Sequence, residues 1–250
     1  MREHKIGAIV IKCFVLLVGI GTARQAMAQD AVTTYTKMAP VDQYLMADRD
    51  TEIAMARSAA PDAISRGATI LVLGRQGYET AVEGKNGFVC MVERGWTGPF
   101  GWPEFWNPKV RAANCLNPQA ARSILPIAYL RARMVMAGRS KAEIVSALKA
   151  AFENKQLPSL ESGAMAYMMS KSAYLTDEGD HNVPHLMFYT LVKDSKDWGS
   201  GAAGSPVLSS PYWSFAPKEQ SQVKGLPPIL VFLVVLTNWS DGTPAGRHHE

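Results

Sequence analysis

Apolar residues along this chain change period several times, and each change marks an element. Val41, Tyr44, Leu45, Ile53 and Ala56 recur at helical spacing and predict a helix over about 41–59, stopped by Pro61. Asp48, Arg49, Asp50, Glu52 and Arg57 fall between them and read as its solvated face. Thr69 to Leu73, Tyr78 to Val82 and Phe88 to Val92 are short β-rich runs bounded by glycines. Asn86-Gly87 is a strong hairpin signal, because a type I′ turn needs positive φ at both central residues. The three runs therefore predict an antiparallel meander. The first and third are apolar on both faces, which calls for a sheet covered on both sides.

A segment dense in rings, glycine and proline follows, from Trp96 to Pro108. Its prolines exclude a regular helix or an inner strand, so it reads as a long loop whose rings lid the sheet or line a ligand site. Asn117 and Pro118 then open a helix that Pro126 should kink and Gly138 should stop. Ser140 and Glu143 form a capping box for a second helix, ending before Pro158. The last third returns to strands at about 164–169, 185–192 and 229–236, with a Gly/Ser/Pro-rich loop over 197–211. The sum is a single α+β domain over 29–250: an antiparallel sheet of about six strands, helices on one face and the aromatic loop on the other. Residues 29–38 and 239–250 read as loose ends.

The first thirty residues change the picture of where the protein works. A basic start (Arg2, His4, Lys5), an apolar run from Ile6 to Ile20 and the small residues Ala26 and Ala28 have the layout of a secretory signal peptide. The run is short and broken by Lys12, unlike a membrane anchor of about 20 apolar residues. Cleavage after Ala28 makes the mature protein periplasmic or secreted, with no membrane span. It also removes four of the 26 basic residues and one of the 22 acidic ones. The formal charge of +4 then falls to about +1, from 22 basic and 21 acidic residues. A nearly neutral chain without Lys/Arg clusters has no footprint for nucleic acid.

Two cysteines remain, Cys90 and Cys115, and an oxidising compartment favours their pairing. The alternative is Cys90 as a nucleophile with His181 or His185 as its base. Its apolar setting between Val89 and Met91 raises a thiol pKa, which is the wrong direction for a thiolate. No phosphate loop, nucleophile elbow, CxxC pair or HExxH occurs, and no cofactor is implied. Asp180, His181 and His185 are weak metal or acid–base candidates, because Pro184 denies the two histidines a shared helical face. Glu93 and Arg94, where the third strand emerges, can face a pocket together with Trp96, Trp102 and Trp106.

Several phrases together carry a family likeness: 53–61, the hairpin region 77–95, Glu104-Phe105-Trp106-Asn107-Pro108, 164–171, 184–189 and Trp239-Ser240-Asp241-Gly242-Thr243. They resemble a family of uncharacterised exported bacterial proteins, over nearly the whole mature chain. The resemblance implies export and brings no activity or site residue with it. Two function classes follow from the residues. One is a non-catalytic protein that binds a small molecule or an envelope component beneath the aromatic loop. The other is a hydrolase or metal-dependent enzyme using His181 or His185 with a nearby carboxylate, for which Glu93 is a candidate.

Overall fold

Asp48 decides where the first long helix begins. In the computed structural model, which describes residues 35–179, 182–192, 194–215 and 217–246, its carboxylate accepts the backbone N–H groups of Asp50 and Thr51. That cap starts α1 (Arg49–Arg57) and leaves Val41–Tyr44 as a separate 3-10 turn, so one continuous helix over 41–59 does not form. Glu52 also departs from the expected solvated face, since it is buried. A short helix α2 (Asp62–Ser65) then leads into β1 (Thr69–Gly74).

The chain turns at Gly74–Gly77, not at Asn86-Gly87, to pair β1 with β2 (Gly77–Val82). β3 (Val89–Glu93) then lies parallel to β1 on its other side, so the meander is replaced by the order β2-β1-β3. The six-residue connection 83–88 can be this short because β2 ends and β3 begins at the same end of β1. It crosses that end closely. Gly84 donates its N–H to Thr69 Oγ1 at 3.0 Å, and a Cβ at Gly84 would lie 2.1 Å from the Thr69 nitrogen. Asn86 does supply a turn, with Gly87 at φ +79°, but its side chain ties the crossing to the Ile64 carbonyl instead of closing a hairpin.

The irregular aromatic segment follows, with 3-10 turns at Gly95–Thr97 and Pro103–Trp106. Beyond it run β4 (Ala112–Leu116), α3 (Pro118–Ser123), α4 (Leu125–Met136) and α5 (Lys141–Glu153). Asn117 caps α3, and the Ser140–Glu143 capping box opens α5. Near Pro126 the helix breaks, and a new one starts at Leu125. The remaining elements are β5 (Met165–Met168), β6 (His185–Thr190), β7 (Val207–Pro211), α6 (Pro217–Val223) and β8 (Leu230–Val235). β7 arises inside the stretch read as loop, because Val207 to Pro211 completes the sheet along β8. The sheet thus has eight strands in the order β2-β1-β3-β4-β5-β6-β8-β7. Every neighbouring pair is antiparallel except β1 and β3, where about six antiparallel strands were expected.

Strand alternation sends two sets of side chains to opposite faces. On one, Ile70, Cys90, Val92, Ala113 and Cys115 pack against Ala56 of α1 and Ala59 just beyond it. Cys90 and Cys115 are directly opposed on β3 and β4 and joined by a disulfide, which staples two neighbouring strands. On the other face, Leu71, Met91 and Leu116 share one core with Ile127 of α4, Leu148 of α5 and the loop rings Trp96, Phe100, Phe105 and Trp106. The aromatic loop therefore lies on the same side as α3–α5, and α1 covers the opposite side. The loop goes there because its rings stack into the helix-bearing core: Phe105 meets Phe100 at 5.4 Å and Trp106 edge-on at 4.7 Å.

The described residues form one compact unit. The signal segment 1–28 lies outside the described residues. Of the two stretches expected to be loose, 239–246 is held by the Ser240 N–H on the Met169 carbonyl and by Lys171 on Asp241. Tyr35 is held by Asp177. Among the described residues no helix is long and apolar enough to cross a membrane.

Burial ranks the aromatic loop's tryptophans. Trp106 is only 4% exposed, whereas Trp102 is half-buried. Trp106→Ala should cost about 3–5 kcal/mol of stability in thermal or denaturant melts, and Trp102→Ala much less. A Trp106→Ala protein as stable as the parent would show that this ring does not close the core.

Candidate functional site

β3 to β7 build the site with one face of the sheet. Glu93, Ala112, Met168, Met187, Leu233 and Leu208 come from six adjacent strands and alternate onto the same side. They form the floor of a cavity of about 410 Å³. Its roof is irregular backbone: Thr97 to Pro99, Trp102, and the segment around Tyr212 and Phe215. The two parts of the roof are joined, since the Phe100 N–H donates to the Trp213 carbonyl at 2.6 Å. At the outer end Leu208, Phe215 and Val235 stay exposed, giving the mouth an apolar rim.

Two buried arginines brace the surroundings of the site, and one of them, Arg131, holds the roof. Arg94 donates from Nη2 to Glu52 Oε1 and from Nε to the Tyr44 carbonyl, both at 2.8 Å, and from Nη1 to the Val92 carbonyl. Glu52 Oε1 also accepts the Leu73 N–H at 3.2 Å, so this pair fastens α1 to β1 and β3. Arg131, on α4, donates from Nη1 to the carbonyls of Trp96, Thr97 and Gly98 at 3.1, 2.6 and 2.8 Å. Its guanidinium lies 4.5 Å from the centre of the Phe100 ring. An arginine inside a helical apolar stripe, between Leu130 and Ala132, was the available sequence signal for this role.

The sequence candidates divide on these contacts. Glu93, His185 and Trp102 line the cavity together. Arg94 borders it, but its guanidinium is committed to Glu52. Trp96 and Trp106 lie in the core, Trp96 edge-on to Tyr44 at 4.5 Å. Cys90 and Cys115 are on the far face, bonded to each other. Asp180 and His181 lie outside the described residues. Met187, Leu233, Tyr189 and Tyr212 also line the site. Only their place in a β-rich run or a turn was visible in sequence, because which face a strand turns inward depends on pairing.

Polar chemistry in the cavity is sparse. His185 is buried, with Nδ1 at 2.7 Å from the Val183 carbonyl, so Nδ1 carries the proton and Nε2 is the basic nitrogen. Burial holds its pKa below the ordinary value of 6.5, which keeps the ring neutral. Burial pushes the Glu93 carboxyl up from 4.5 to about 7, against the hydrogen bonds of Asn114 and Thr97 and the charge of Arg131. Glu93 and His185 are three strands apart, which at about 4.8 Å per strand sets their backbones roughly 14 Å from each other. Neither can reach the other by a direct hydrogen bond. Among the described residues no group of three or more His, Cys, Asp or Glu side chains is arranged to hold a metal ion. No family model, curated protein or solved structure matches the chain.

The raised Glu93 pKa makes stability depend on pH. Between pH 4.5 and about 7 the folded protein holds this proton more tightly than the unfolded chain. Its stabilising effect is complete below pH 4.5 and lost as pH rises through 7. Glu93→Gln should therefore flatten the stability profile over that window and leave the variant more stable than the parent at higher pH. Denaturant melts across the window check this, and parallel profiles for the two proteins would refute it.

Proposed function

We propose that this is a non-catalytic binding protein that holds a small, largely apolar molecule between its sheet and its aromatic loop. The observation that carries the reading is the cavity of about 410 Å³, which is floored by Met168, Met187 and Leu233 and opens through an apolar rim. Its volume suits a small molecule, and apolar walls with few polar groups are the usual character of such sites. The isolation of Glu93 from His185 supports binding over catalysis, since acid–base work needs partners within hydrogen-bond reach. The enzyme alternative draws on His181 or His185 with a nearby carboxylate, and of these residues His181 and the candidate Asp180 lie outside the described residues. The disulfide is compatible with the periplasmic or secreted location proposed for the mature chain.

Titration with the neutral fluorophore N-phenyl-1-naphthylamine tests the reading. The protein should bind it saturably, with a blue shift and enhanced emission. Met187→Trp, which fills the floor with a ring, should weaken binding by about tenfold or more while Tm changes by only a few degrees. Non-saturable uptake, or equal affinity in the folded variant, would reject the cavity as a binding site.

A further inference from the structure

The charged groups around the cavity are unequally engaged, and this bears on what the ligand carries. Glu93 is half-buried on the cavity wall, and among the described residues it has no ion-pair partner. Both nearby cations have other partners, although Nε and Nη2 of Arg131 make no hydrogen bond among the described residues. Arg94 is paired with Glu52 at 2.8 Å, and Arg131 faces three backbone carbonyls. Among the described residues no lysine lines the cavity. Among them, the uncommitted charged side chain presented to a guest is thus a carboxylate, and a buried charge without a partner is costly.

Position adds a direction. Glu93 stands on β3, at the inner end of the floor, and Leu208 stands on β7, at the exposed apolar mouth. Five strand spacings separate them, about 24 Å at the usual 4.8 Å. The wall between, through Met187 and Leu233, is apolar. Resting on the binding reading above, we infer that the ligand is a cationic amphiphile, an alkyl or aryl-alkyl amine. Its ammonium sits against Glu93 and its apolar body runs along the floor toward the mouth.

The neighbours of Glu93 are consistent with this occupant. Asn114 and Thr97 beside the carboxylate favour its ionised form, as does the charge of Arg131. Arg131 opposes a second positive charge, but the carbonyls it faces offset much of its own. Tyr189 and Tyr212 also feel the Glu93 charge, and burial keeps both phenols neutral. An ammonium restores the ionised carboxylate that burial disfavours.

Calorimetric titration at pH 8 with decylamine, decanol and decanoate, each below its aggregation threshold, separates the possibilities. Decylamine should bind about tenfold tighter than the other two. In Glu93→Gln that preference should vanish while decanol binding is kept, which shows the variant is folded and its cavity intact. Equal affinity for the three head groups, a preference for decanoate, or an amine preference that survives in Glu93→Gln would overturn the inference and leave the apolar cavity standing. Failure of all three to bind would overturn the binding reading as well, and this inference with it.

Discussion

The carbonyls of Trp96, Thr97 and Gly98 are turned into the protein on a segment that has no neighbouring strand, and everything above the cavity depends on how they are satisfied. Buried backbone oxygens without donors are expensive, which is why irregular segments usually stay on the surface. Here the donor is the Arg131 guanidinium, carried in on the inner face of α4. One nitrogen, Nη1, serves all three carbonyls, its two N–H groups shared among them. Among the described residues its Nε and Nη2 have no hydrogen-bond partner, and Phe100, Trp213 and Tyr212 surround the group with ring faces at 4.5, 5.5 and 5.9 Å. The same helix that fills the core therefore also suspends the roof.

Arg94 does the corresponding work on the approach to the loop. Its pairing with Glu52 brings together α1, β1 and β3, and Tyr44 links that junction to the loop's far end by donating its hydroxyl to the Trp106 carbonyl at 2.9 Å. The loop is thus held at its start, its first turn and its end, while Trp102 between them is left to line the cavity. Removing one partner of the Glu52–Arg94 pair leaves an unpaired buried charge, so the pair acts as a fixture of the fold and not as a reagent.

Elements whose cause lies within a few residues were legible from sequence. The Ser140–Glu143 box, the Asn117 cap and the break near Pro126 are local hydrogen-bonding and steric facts, and they stand where the sequence put them. Pairing was not legible. Asn86-Gly87 does form a turn, but whether it closes a hairpin or carries the chain across the end of β1 depends on a close approach at Gly84 that no local pattern announces. The same limit hid β7, whose Ser209 and Ser210 look like loop until β8 lies beside them. It also reversed the side of the sheet on which the aromatic loop packs. For the site, Glu93 and Trp102 were visible as a charge and a ring where strands end. Their common cavity emerges only when six strands turn one face to it, and Arg131 passed as one residue of an amphipathic helix.

The central physical claim is that Arg131 holds the roof in place, and hydrogen exchange measured by mass spectrometry on Arg131→Met tests it directly. Methionine keeps much of the apolar stem and removes every donor. Amides of 95–106 should lose most of their protection, while those of β3 to β6 keep theirs. Loop amides as protected as in the parent, or a uniform loss across the whole sheet, would contradict the account.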